Sequence, residues 1–153
     1  LPGGTKQRAC APFIQALMDQ GKRHFIYASP FSGYAQVALA YVCQMLEVEC
    51  TIICEMDQRF PEHPVFHPFS LMAQSFGARI YLVDSLASAE AQAQKLEVLH
   101  PERMKIPLGF DCREFKTHLA CELKRAWQHL IQASPYSIQR LWLPVGSGTL
   151  GSS

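Results

Sequence analysis

Charge of either sign is scarce in this 153-residue chain, where only 18% of residues are Asp, Glu, Lys or Arg. The 14 basic and 13 acidic residues leave a net charge of +1. That excludes binding nucleic acid or an anionic membrane through bulk charge, though not through a local patch. Long apolar runs are missing too. No stretch approaches the ~20 uninterrupted apolar residues of a transmembrane helix, and no secretory leader is visible. Neither nucleic acid nor membrane is therefore an expected partner. Internal repeats and low-complexity segments are absent. No Gly-Lys-Ser/Thr follows a glycine loop, which excludes a Walker A site, and no GxGxxG occurs. The six cysteines, Cys10, Cys43, Cys50, Cys54, Cys112 and Cys121, form no CxxC pair. Several lie inside apolar runs, which reads as reduced, buried thiols in a cytoplasmic protein. A disulfide scaffold would be smaller and richer in loops.

What is present is an alternation. Hydrophobic residues make up 48% of the chain, enough for one folded domain spanning residues 1–153. A domain of this size buries roughly 68–70% of its unfolded surface, so it needs no metal or disulfide staple. Apolar runs at residues 24–28, 50–54, 79–83 and 140–144 read as strands covered on both faces. Amphipathic segments at 5–20, 33–46, 68–76, 88–99 and 114–132 read as helices. Ser85 and Ser88 are candidate N-caps, and Gly77 stands where a helix C-cap belongs. Residues 56–68 hold several prolines and read as a long surface loop. The expected fold class is α/β. It is an open parallel sheet of at least four strands with right-handed crossovers and helices on both faces, Rossmann-like and three-layered.

Ligands of such sheets bind beyond the carboxyl ends of the strands. Three features there can carry chemistry. Gly146, Ser147, Gly148 and Thr149 form a Gly/Ser loop after the run at 140–144, able to turn backbone N–H groups and hydroxyls toward one anion. The alternative is a terminal tail. Lys6 follows Gly3 and Gly4 at the start of the first helix, where the helix dipole disfavours a cation and lowers an amine pKa. A lysine with lowered pKa suits nucleophilic attack on a carbonyl; the alternative is an ordinary solvated lysine. Ser29, Ser32, Gly33 and Tyr34 follow the first strand and offer hydroxyls and free N–H groups to a carboxylate or phosphate. The plainer reading is a capping turn with Ser32 as N-cap. Glu62, His63 and His67 look at first like metal ligands. Pro64 and Pro68 argue against the helix that would converge two histidines four residues apart, so no metal site is expected.

Read in order, these segments resemble the fold-type II pyridoxal-phosphate enzymes. The residues that carry the resemblance are Lys6-Gln7-Arg8 and the Ser-Gly loop and helix from Ser32 to Ala40. They continue with the strand entry from Ser75 to Val83, the Ile-Pro-x-Gly segment at Ile106-Pro107-Leu108-Gly109, and the glycine loop from Gly146 to Thr149. The Ile-Pro-x-Gly segment is most similar to the 1-aminocyclopropane-1-carboxylate deaminase and D-cysteine desulfhydrase branch. The resemblance covers nearly the whole chain and corresponds to the N-terminal half of a family member.

The resemblance implies a lyase or deaminase acting on a small amino acid, with pyridoxal 5'-phosphate as cofactor. Lys6 would carry the cofactor covalently and shuttle the substrate α-proton. Gly146, Ser147, Gly148 and Thr149 would hold its phosphate. Ser29, Ser32 and Gly33 would face the substrate carboxylate. Tyr34 stands where the family usually has an asparagine beside the cofactor ring. The expected second half of a family member does not follow Ser153, so the chain reads as incomplete, degenerate, or one half of a split protein. A homodimer or a complementary chain is then the expected partner. A non-catalytic α/β binding or interaction module that keeps the fold is the alternative, and an unrelated Rossmann-like binding protein is a third.

Overall fold

The computed structural model describes residues 4–133 and residue 140. Four strands, β1 (His24–Ser29), β2 (Glu49–Glu55), β3 (Arg79–Val83) and β4 (Arg103–Ile106), form one sheet in the order β3-β2-β1-β4. Every neighbouring pair is parallel. Five helices connect and flank them: α1 (Gly4–Asp19), α2 (Ala35–Met45), α3 (Pro68–Ser75), α4 (Leu86–Val98) and α5 (Arg113–Ala133). The α/β class, the parallel sheet and the helices on both faces all follow the expectation from the sequence.

The two sheet faces are unequal. Strand alternation sends Phe25, Tyr27, Cys50, Ile52, Cys54 and Ile106 to one face. There they pack against Cys10, Phe13 and Ile14 of α1, Leu39 and Cys43 of α2, and Phe115 and Leu119 of α5. The other face carries Ile26, Ala28, Ile53 and Val83, covered by Ala89 and Ala93 of α4. Burial of large apolar side chains contributes about 1.5–3 kcal/mol each, so the thicker layer dominates stability.

The sequence reading placed its fourth strand at residues 140–144 and did not include β4. That segment lies, apart from Arg140, outside the described residues; the described fourth strand is β4. Arg103-Met104-Lys105-Ile106 alternates polar and apolar residues, because an edge strand with one face in the core needs only every second residue apolar. Likewise β3 is not covered on both faces. It is the other edge, and Tyr81 is 53% exposed.

Helix ends follow local chemistry. Ser85 caps α4, its hydroxyl accepting from the Ser88 amide at 3.2 Å. Gly77, at φ +86°, ends the turn after α3 in the left-handed conformation that glycine adopts without strain. Ser32 does not cap α2: Tyr34 occupies the N-cap position and makes no side-chain cap bond. All six cysteines are free thiols, four of them buried.

Candidate functional site

The site lies past the carboxyl ends of β1, β2 and β4, where two loops and the start of α1 meet. The first loop follows β1. Its backbone turns tightly, with the Gly33 amide donating to the Pro30 carbonyl at 3.0 Å. Ser29 is fully buried and its hydroxyl donates to the same carbonyl at 3.0 Å. Ser32 is exposed. Beneath this turn sits Gln36, fully buried in the first turn of α2. Its amide donates to the Gly33 carbonyl at 2.8 Å and accepts from Ser70 at 3.1 Å. Cys54, at the end of β2, lies 3.6 Å from the Ser70 hydroxyl, and burial pushes its thiol pKa up. This polar chain ties the β1 turn to α3.

The second loop follows β4 and contains the Ile-Pro-x-Gly segment. Gly109 and Phe110 both have positive φ, 65° and 60°. The conformation costs a non-glycine residue roughly 1–2 kcal/mol. Phe110 is held in it by its ring, which is fully buried and packed against Tyr27, Phe13 and Phe115. The Gly109 amide donates to the Tyr27 hydroxyl at 3.1 Å. Burial pushes the Tyr27 phenol up to about 12, so it stays neutral.

Lys6 reaches across to this loop. Its Nζ donates to the Gly109 carbonyl at 2.6 Å. Burial lowers its pKa, while the Asp111 carboxylate opposes the shift. The cause of the lowering is thus desolvation first, where the sequence pointed to the helix dipole. Asp111 also pairs with Lys116 at 2.6 Å. Tyr34, at the end of the first loop, lies against the start of α1: a Cβ on Gly4 would stand 3.5 Å from its ring. The ring meets Phe69 edge-on at 4.7 Å and is 40% exposed.

The structure therefore brings Lys6 and Tyr34 to one end of the sheet, with Ser29, Ser32 and Gly33 in the adjoining turn. Gly146, Ser147, Gly148 and Thr149 lie outside the described residues. The reading from the sequence missed Gln36, Tyr27 and Asp111 as neighbours of the site. The Ile-Pro-x-Gly motif was the only available signal for the last two. His67 serves as a cap: its Nδ1 accepts from the Phe69 amide at 3.1 Å, and its ring meets Phe31 and Phe69. Asp57, after β2, accepts two bonds from the Arg59 side chain, which hold its carboxyl below the usual range. Among the described residues no His, Cys, Asp and Glu cluster could hold a metal, and no helix is long and apolar enough to cross a membrane.

The fold is similar to that of solved fold-type II pyridoxal-phosphate enzymes. An L-serine ammonia-lyase from Rhizomucor miehei is similar with a TM-score of 0.68 and 21% identity, over 97% of this chain and 44% of that one. An O-acetylserine sulfhydrylase, isoform 3, from Entamoeba histolytica has a TM-score of 0.60 and 16% identity, over 82% of this chain and 37% of that one. A serine racemase from Dictyostelium discoideum has a TM-score of 0.56 and 19% identity, over 80% of this chain and 38% of that one. The chain thus spans less than half the length of each of these proteins. No protein-family model matches the sequence, and neither does any curated protein.

Proposed function

We propose that the chain is part of a pyridoxal-phosphate-dependent lyase or deaminase acting on a small amino acid, with Lys6 as the residue that carries the cofactor. The observation behind this is the Lys6 amine: half-buried, depressed in pKa, and placed past the strand ends beside the Ile-Pro-x-Gly loop. Desolvation favours the neutral amine, which is the nucleophilic form. The residues present fit the group. Lys6 supplies the amine for its aldehyde. The glycines and hydroxyls of Gly146, Ser147, Gly148 and Thr149 have the chemistry to hold its phosphate. Tyr34 offers a ring face. When bound, the cofactor supplies an electron sink for a carbanion at the substrate α-carbon.

The chain's own residues do the rest. The Gly109 carbonyl, fixed by Tyr27 on one side and Phe110 on the other, orients the Lys6 amine by accepting its N–H. Asp111 offsets part of the burial that favours loss of that amine's proton. Ser29, Ser32 and Gly33 shape the turn to which we assign the substrate carboxylate. Because Ser29 is buried, the free N–H groups and the exposed Ser32 hydroxyl are the contacts that turn offers. A homodimer or a complementary chain, in a cytoplasmic setting with reduced thiols, completes this reading. The similarity to a serine ammonia-lyase, an O-acetylserine sulfhydrylase and a serine racemase supports a small amino acid as substrate.

A second reading, a non-catalytic module that keeps the fold, is favoured by Tyr34, whose bulk takes the place of an asparagine. One experiment separates the two. The chain is incubated with pyridoxal 5'-phosphate, reduced with borohydride, and mapped by peptide mass. The pyridoxyl group is expected on Lys6, and Lys6→Ala is expected to lose it with an unchanged circular dichroism spectrum. Labelling spread over surface lysines, or none at all, overturns the catalytic reading.

A further inference from the structure

At the opposite end of the strands the described residues leave the α4 face of the sheet partly uncovered. α4 packs mainly over β1, β2 and β4 and least over β3, so among the described residues Arg79 and Tyr81 of β3 stay exposed beside it. A cavity of about 430 Å³ lies there, lined by His24, Thr51, Arg79, Tyr81, Lys95 and Arg103 among others. Its volume falls within the ~300–1,000 Å³ of small-molecule sites. His24, Arg79 and Arg103 are the first residues of β1, β3 and β4. The cavity is therefore at the far end of the strands from Lys6.

The charges lining this cavity do not balance. Arg79 pairs with Glu49. His24 shares a hydrogen bond with Thr51 at 2.8 Å and lies 3.7 Å from the same Glu49. Arg103 and Lys95 have no carboxylate partner among the described residues. Arg103 Nη1 donates to the Leu96 carbonyl at 3.2 Å, but its Nε is buried with no acceptor at all. Buried N–H groups nearly always find a partner, so this one marks a place where an acceptor is missing. The remaining wall is Ile53, Tyr81 and Leu96, with Gln92 as its one amide.

We infer that this cavity binds a small organic oxyanion, its carboxylate or phosphate held by Arg103 and Lys95 and its apolar or planar body laid against Tyr81, Ile53 and Leu96. A guanidinium offers parallel N–H donors to such a group, and a flexible ammonium adds a point charge. The claim does not depend on the reaction proposed for Lys6.

The test is a titration of the full chain with phenyl phosphate, with benzoate, and with phenol as the neutral control, read by amide chemical shifts. Saturable shifts are expected with the anions at residues 51–53, 79–81, 92–96 and 103, and none with phenol. Tighter phenyl phosphate assigns a phosphate, tighter benzoate a carboxylate. Arg103→Gln is expected to weaken binding about tenfold or more and Lys95→Gln by a few-fold, as losing a charge-assisted bond does. Lys95 is exposed, so its variant reports on binding even if Arg103→Gln loosens α4. Lys6→Ala should leave the titration unchanged, which separates this site from the cofactor reading. Absence of saturation, equal shifts with phenol, or undiminished binding in both variants overturns the inference.

Discussion

A methyl group at Gly33 would lie 2.6 Å from Ser29 Oγ and 3.0 Å from Pro30 Cδ. Only glycine lets the β1 turn close this tightly, and overpacking of this kind costs about 1–3 kcal/mol. Gly33→Ala should lose that much in urea unfolding, and combining it with Ser29→Ala should recover part of the loss. Strict additivity of the two changes would mean the contact does not set the turn. His24 poses a question of protonation. Burial lowers its pKa below the ordinary 6.5, with Arg79 and Arg103 adding to the lowering and Glu49 and Glu102 opposing it. A folded-state pKa below the unfolded one means the unfolded chain binds more protons in that window. The stability contributed is complete above about 6.5 and is lost as pH falls through the lower folded value. Urea midpoints should therefore drop on acidification through that window, and the drop should shrink in His24→Gln. An equal pH slope in both proteins would contradict this.

Among the elements, those buried on both faces were the most legible. β1 is buried at all six positions, and a run of apolar residues is the only pattern such a strand can carry. The helices were legible for a related reason: each buries one broad face, and the period of that face survives in the sequence. β4 was not, because its two core residues, Met104 and Ile106, alternate with Arg103, which lines the polar cavity, and Lys105, which pairs with Glu90. The cap of α2 was misread as well. Ser32 has the right chemistry, but the tight Pro30–Gly33 turn delays the helix until after Tyr34.

For the whole molecule, the second half of α5 has little cover among the described residues. The first half buries Phe115 and Leu119, while Trp127, Leu130 and Ile131 are 37%, 49% and 51% exposed on one helical face. Together with the proposed partner chain, this face leads us to expect self-association. Sedimentation velocity at rising concentration should show a dimer, and Leu130→Glu with Ile131→Glu should shift it toward monomer. A monomer at every concentration would rule the homodimer out.

Local pattern was enough for the α/β class, the parallel sheet, the helices and the nomination of Lys6, because each follows from near neighbours in the chain: apolar period, caps, glycines at helix starts. The environment of Lys6 could not be read that way. Gly109 is 103 residues away in sequence, and the burial that lowers the amine's pKa exists only once α1 has packed beside the β4 loop. The unmet Nε of Arg103 is of the same kind. It depends on how α4 packs beside β4 among the described residues, a fact of packing that no residue's neighbours in sequence express.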